Sequence, residues 1–542
     1  MKVFLNVALR AAQFIFLLAL LYFAHRLILY HYNLVVFPYS NTLREGAMMT
    51  STDALVKGLN PYSMSLEPRL MNQYGIIYPL IVWPWAKLFG TTIVLHRIVT
   101  ALSILGSCLI VFLVLRKMSV SLLLSFWSVL MLYASLMFPG TSTPTIDPGA
   151  TGMFFFLLTI FVPWFYKFSY PSLLLSILFG ILAFYTKIYT FLGVFVIVSY
   201  LFLFISKKKS IIYGLFLVIF FVISINVVNR LLPAYFDNCF FAAINMGPAW
   251  SSMERLHEQV VIYKHLHLWT FILMGLFILG YGFKNFKIWE VFRGESLRAF
   301  FFRAWQSYLK EITLFLKNAF HNKKFSDPLI KLNFPIFIYA ALCSSFVLYM
   351  SLGRHSGAML WYFFQLLSPF VLIAAAWLFS SFLFWPIVCV PFLIYNLHVI
   401  TDGHDYKWFN KGLIGWPQVT SIISQHQHIL NSPLIAPILI EQNKEVFDNG
   451  QAEYFLPGGQ RAKWMKGLFK EDDRVSVQMA LFFQNIRSMV QNKEFDLIIL
   501  QPSLLPLGVA DDIRKYYKFE GQVFLLAPQD RRPYAVTVWR PL

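Results

Sequence analysis

The chain has 542 residues, of which 58% are hydrophobic, 18% aromatic and only 13% charged. Soluble globular proteins carry about 25% charged and about 45–50% apolar residues, so composition excludes an ordinary soluble enzyme, and repeated runs of about 20 apolar residues mark an integral membrane protein. The net charge of +19 does not point to nucleic acid, because residues 401–542 hold 16 Lys/Arg against 15 Asp/Glu and the excess in the membrane part reports topology and anionic lipid instead.

The first apolar run, roughly residues 8–30, is too long for a signal peptide and lacks a small-residue cleavage site, so it reads as an anchor. Lys2 and Arg10 before and at its start place the N-terminus in the cytoplasm. The following loop, 31–91, holds Arg44, Glu45, Asp53 and Glu67. Within it "YGIIYPLIVWPWAKLFG", residues 74–90, is apolar but short and broken by Pro79 and Pro84, which suits an interfacial or re-entrant helix. Spans are then expected near 92–115, 119–138, 150–167, 170–186, 188–206, 210–229, 267–283, 333–352, 358–380 and 382–400. The basic clusters "LRKM" at 115–118, Lys167 and "KKK" at 207–209 fall on alternate connections, as the positive-inside rule requires. Segment 284–332, with 10 Lys/Arg against 4 Asp/Glu, falls on that cytoplasmic side too, and its "FFRAWQSYLKEITLFLKN" reads as an amphipathic helix on the inner leaflet. Eleven spans put residues 401–542 on the far side of the membrane.

That tail alternates helical patterns such as "VSVQMALFFQNIRSMVQN" with short apolar runs, "APILIEQ", "FDLIILQ", "QVFLLAP" and "AVTVW". The alternation predicts a separate soluble α/β domain. It carries no glycine-rich phosphate loop. Cys108, Cys239, Cys343 and Cys389 are scattered and form neither a metal spacing nor a disulfide framework. His257, His265 and His267 offer no convincing set of three ligands, so no metal site is assigned.

An ionisable residue in or beside a span is costly and invites a functional reading. Sorted by side, these residues collect on one face. Arg44 and Glu45 come from the first outer loop, Asp147 from "FPGTSTPTIDPGATG", and Lys187 from the turn "AFYTKIYTF". Asn238 and its neighbours come from the loop 230–266, and Arg354, His355, Tyr362 and Gln365 from "SLGRHSGAMLWYFFQLLSP". A carboxylate can take a proton from an incoming hydroxyl, while Lys and Arg can hold a phosphate and stabilise charge as it leaves. At bilayer depth such a phosphate belongs to a lipid, and the aromatic excess, Tyr62 and Tyr78 included, suits sugar faces and polyisoprenoid chains. Plainer readings exist for each residue. Glu45 could pair with Arg44, Asp147 before Pro148 has the chemistry of a helix start, and Lys187 could snorkel to the interface.

The order of these motifs resembles the GT-C superfamily of integral-membrane glycosyltransferases, in particular the bacterial branch that includes protein O-mannosyltransferases and the lipid A aminoarabinose transferase. An acidic residue follows the first span, here Glu45. "LVKGLNPYS" is similar to the family's "GxPLY", and residues 74–90 to its juxtamembrane helix. "HRIVTALS" is similar to "xRLxSLL", and "AFYTKIYTFLG" to the "AFLTKQT" turn, which maps Lys187 onto its lysine. Where members carry "RPD" this chain has Thr145-Ile146-Asp147, keeping the Asp and losing the Arg-Pro. "GRHSGAMLWYFFQLLSPFVLIAAA" resembles the segment that contacts the donor.

The resemblance covers roughly residues 1–400. It implies a GT-C-like membrane domain of about eleven transmembrane helices at 1–400, with an extracytoplasmic C-terminal domain at 401–542. It further implies a multi-pass protein of the bacterial inner membrane and transfer, with inversion, from a polyprenyl-phosphate sugar donor to a hydroxyl of a glycan, glycolipid or protein. Glu45 would be the catalytic base, with Asp147 sharing the role or orienting the acceptor. Lys187, Arg354, His355 and Arg44 would hold the donor phosphate, and Tyr62, Tyr78, Asn238, Tyr362 and Gln365 would contact sugar or acceptor. The resemblance assigns no certain cofactor, and a divalent metal stays open. The competing classes are a lipid-linked transporter or flippase, an O-antigen ligase or polymerase, and a non-catalytic relative. Transporters place their charges at the bilayer midplane, often in repeated halves, whereas here they gather at one face and no repeat is visible.

Overall fold

The computed structural model describes residues 2–66, 69–139, 143–241, 267–276, 335–352, 360–381, 385–450, 474–501 and 507–542. Its first helix, α1 (Lys2–Val36), has 35 residues, about 52 Å at 1.5 Å per residue. That length exceeds a hydrocarbon core of roughly 30 Å, so α1 extends beyond it. There follow α2 (Glu45–Val56), α3 (Ile77–Phe89), α4 (Ile93–Lys117), α5 (Leu122–Leu136), α6 (Pro148–Phe165), α7 (Tyr170–Thr186), α8 (Leu192–Tyr200) and α9 (Lys207–Leu231). Beyond them the described helices are α10 (His267–Leu276), α11 (Ile336–Leu352), α12 (Leu360–Ser380) and α13 (Trp385–Asp402). Six described helical stretches are long and apolar enough to cross a membrane, and five shorter apolar helices accompany them. The protein is thus a polytopic helical membrane protein, and six of its described helices have the length and composition of a span. The amphipathic segment within 284–332 lies outside the described residues.

Local chemistry sets the helix starts. Thr92 caps α4 by accepting from the Leu95 amide at 3.2 Å, and Ser121 and Ser206 do the same for α5 and α9. Asp147 caps α6 with Pro148 in its first turn, which is the pairing helix N-termini favour. Helix α3 has 13 residues, too few to span. It buries Tyr78, Pro79, Val82 and Ala86 and exposes Leu80, Trp83, Trp85, Leu88 and Phe89, an apolar outer face that suits a helix lying in the interface.

The C-terminal part is α/β, as expected. Its four-stranded sheet runs in the order β1 (Ile429–Asn431), β2 (Leu497–Leu500), β4 (Arg532–Pro541), β3 (Tyr517–Ala527), with β1 and β2 parallel and the other pairs antiparallel. "APILIEQ", read from sequence among the strand-like runs, is instead helix α16 (Ala436–Glu441), which follows α14 (Lys407–Gly412) and α15 (Trp416–Ser424). Pro437 in its first turn cannot donate to a sheet ladder, and the segment packs against α2 as a helix. Helices α17 (Arg474–Gln491) and α18 (Leu507–Tyr516) complete the unit. This domain is not suspended from the membrane part. One apolar core runs from α1 through α4–α6 into Trp416, Leu434, Leu439, Leu525 and Val536.

Two backbones meet where the loop after α2 crosses the end of α7. The Gly75 amide donates to the Thr186 carbonyl at 3.2 Å, and a Cβ at Gly75 would stand 1.8 Å from the Tyr185 carbonyl oxygen. Gly75→Ala is therefore expected to cost about 1–3 kcal/mol or more through overpacking. Gly214→Ala, in open space on α9, should be neutral or slightly stabilising because it removes a helical glycine. Thermal unfolding of the two variants in detergent checks the contrast.

Candidate active site

Glu45, the first residue of α2, is fully buried, and so is Arg97, one turn into α4. They form a bidentate ion pair, Arg97 Nε to Glu45 Oε1 at 2.9 Å and Nη2 to Oε2 at 2.8 Å. The remaining guanidinium donors go to three carbonyls at the end of α1 and just after it: Leu34, Phe37 and Tyr39. All five N–H donors of Arg97 are thereby used. The carboxylate is equally occupied. Besides the guanidinium it accepts from the Asn41 amide at 2.7 Å and from the Ile146 amide at 3.3 Å. Glu45 can accept from a further donor only by releasing one of these bonds.

The Ile146 contact brings the second loop to the first, and the next residue is Asp147. Its Oδ1 accepts from the Gly149 amide at 2.6 Å and from Lys187 Nζ at 2.9 Å, and both side chains are nearly buried. Lys187 stands just past the end of α7, where the chain turns into the short helix before α8. Its ammonium lies 5.4 Å from the Tyr74 ring centre and 5.6 Å from that of Tyr189, within cation–π range. Gly149 makes the pairing sterically possible. A Cβ there would come within 2.7 Å of Asp147 Oδ1 and 3.2 Å of Lys187 Nζ.

Glu45, Asp147 and Lys187 are thus brought together as expected from sequence. Arg44 is half-buried ahead of α2, and Glu45 takes its guanidinium from Arg97 instead. Tyr62 and Tyr78 are fully buried and engaged within the fold. The Tyr62 hydroxyl donates to the Tyr74 carbonyl, which helps fix the ring that faces Lys187. The Tyr78 hydroxyl donates to the His96 carbonyl at 2.8 Å and bonds the Thr100 hydroxyl. Asn238 is buried in the turn Asp237–Phe241. Tyr362 and Gln365 lie on α12; Arg354 and His355 lie outside the described residues. Asp53 pairs with Lys57 on an exposed face. Arg97, Tyr74 and Tyr189 were not singled out from the sequence. A usable signal existed for Arg97, a charge in the first turns of a long apolar span.

The arrangement is a membrane domain whose first two loops bury two carboxylate–cation pairs beneath a C-terminal α/β unit. Its fold is the GT-C-like fold of a solved structure that it matches. The structure of ArnT from Cupriavidus metallidurans bound to undecaprenyl phosphate matches over 96% of this chain and 97% of that one, at 10% identity and a TM-score of 0.52. ArnT, the lipid A aminoarabinose transferase, is a GT-C enzyme. Its structure in the apo state aligns over the same shares at 10% identity with a TM-score of 0.46. No family model and no curated protein matches the chain.

Removing one partner of a buried ion pair strands the other charge and costs about 3–5 kcal/mol. Glu45→Gln and Arg97→Gln should each lower the thermal midpoint sharply, and the double variant should lose clearly less than the sum. Additive losses in the same unfolding assay would mean that the two side chains do not act as a pair.

Proposed function

We propose that the protein is a glycosyltransferase of the bacterial cytoplasmic membrane. It takes a sugar from a polyprenyl-phosphate donor and passes it to a hydroxyl acceptor at the outer face, the N-terminus lying in the cytoplasm and the C-terminal domain outside. The observation that carries this reading is the buried Asp147–Lys187 pair, 2.9 Å apart, set in a fold shared with a protein solved with undecaprenyl phosphate. An ammonium ringed by tyrosines can turn from a ring face toward a phosphate oxygen and stabilise the charge that builds there.

The two carboxylates then divide the work. Glu45, held on all sides by Arg97 and two amides, fixes the loops rather than reacting. Asp147 becomes the base, a change from the assignment the sequence invites. When Lys187 engages the donor phosphate, Asp147 loses part of its countercharge and gains basicity toward the acceptor hydroxyl. The hydroxyl proton passes to Asp147 and the acceptor oxygen bonds the anomeric carbon. The bond from that carbon to the phosphate oxygen breaks, its electron pair leaving with the lipid phosphate. A single displacement of this kind inverts the anomeric centre.

The test is transfer from a panel of radiolabelled polyprenyl-phosphate sugars in proteoliposomes. Wild type should yield labelled product, Asp147→Asn should lower turnover by about 10²–10⁴-fold, and Lys187→Gln should raise the KM for the lipid donor. Undiminished turnover in Asp147→Asn would remove it as base. Absence of transfer with labelled lipid appearing in the opposite leaflet would make the protein a flippase.

A further inference from the structure

The C-terminal domain touches both loops that carry the charged pairs, and it does so through specific polar contacts. On one side Glu441, at the end of α16, accepts from the Ile93 amide at 2.8 Å. Ile93 is the first residue of α4, so the N-terminus of that helix is capped jointly by its own Thr92 and by a carboxylate 348 positions further along the chain. Arg97 lies one turn beyond. The same segment closes on the start of α2. The Ser40 hydroxyl donates to the Leu434 carbonyl at 2.6 Å, and a Cβ at Gly46 would stand 2.9 Å from the Ala436 Cβ and 3.1 Å from the Pro433 carbonyl oxygen.

On the other side the turn between β3 and β4 reaches the membrane helices. Gln529 is fully buried and uses both ends of its amide. The Tyr30 hydroxyl of α1 donates to its Oε1 at 2.6 Å, and its Nε2 donates to the Phe138 carbonyl at 3.0 Å. Phe138 stands where α5 gives way to the loop that ends in Ile146 and Asp147. The carbonyls that Arg97 grips belong to the end of α1, a turn or more beyond Tyr30. Direct contacts therefore run from Glu441 through α4 to Arg97, to Glu45, to the Ile146 amide beside Asp147, while Gln529 ties α1 to the other end of the same loop.

We infer that the C-terminal domain is a working part of the transfer site, with Glu441 and Gln529 as positioning residues that hold the two loops in register. The inference rests on the glycosyltransferase reading and deepens it. Domain packing alone would contribute stability. Positioning adds a further property: relaxing either contact misaligns Asp147 with the donor carbon and lowers turnover without weakening capture of the lipid.

The experiment pairs transfer kinetics with amide hydrogen exchange on the full-length protein in nanodiscs. Gln529→Leu and Glu441→Leu are expected to reduce kcat on the order of 10–100-fold, the scale of a misplacement of about 1 Å, with the KM for the lipid donor unchanged. They should also speed exchange of the Asn41 and Ile146 amides, both bonded to Glu45. Glu441→Gln should restore both readouts, since its amide oxygen still accepts from Ile93. If Gln529→Leu does not fold, Tyr30→Phe removes one of the two bonds and should give a smaller effect in the same direction. Faster exchange with unchanged kcat would reduce the domain to a docked module and overturn the inference, as would unchanged exchange in every variant. Should wild type transfer nothing, the glycosyltransferase reading fails by itself, and the exchange data still decide whether the domain holds the loops.

Discussion

The buried ion pair between Glu45 and Arg97 is the interaction on which the arrangement depends. Taking both charges out of water costs several kcal/mol per ion, and their attraction offsets that cost only when the remaining donors and acceptors are also satisfied. Here they are: five guanidinium hydrogens and four carboxylate contacts are all used. Their partners are the end of α1, the start of α2, the first turns of α4 and the loop before α6. One pair thus ties the α1–α2 connection to the first turns of α4, 52 positions on, and to the loop before α6, 101 positions on.

This saturation bears on the division of roles between the two carboxylates. A carboxylate whose lone pairs are all committed is suited to holding a structure in place. Asp147 and Lys187 meet at 2.9 Å, and lysine is a flexible point charge able to exchange partners. The two buried pairs stand one peptide unit apart, because Glu45 accepts from the Ile146 amide and Asp147 is the next residue. Tyr74 and Tyr189 beside the ammonium, and the missing side chain of Gly149, belong to the same design.

Much of this was legible from sequence where the signal is local. Apolar runs marked the long apolar helices, Asp147-Pro148 announced the start of α6, and Glu45, Asp147 and Lys187 were grouped from the ionisable residues beside the apolar runs. The partner of Glu45 was not legible. Arg44 lies ahead of α2, and the guanidinium comes from 52 positions away through the packing of α2 on α4. "APILIEQ" looked strand-like because a short apolar run carries no period of its own; Pro437 and the contact with Gly46 decide for helix. The domain contacts through Glu441 and Gln529 rest on side chains whose partners lie hundreds of positions away, which no local pattern encodes.

The most direct test of the central claim is equilibrium binding of undecaprenyl phosphate to the purified protein in nanodiscs, compared between wild type, Lys187→Gln and Asp147→Asn. The account predicts binding to wild type, a loss of about tenfold or more in Lys187→Gln, as removal of a charge-assisted hydrogen bond to phosphate requires, and equal or tighter binding in Asp147→Asn, which removes a negative charge beside the phosphate. Equal affinity in wild type and Lys187→Gln, or no binding at all, would contradict it.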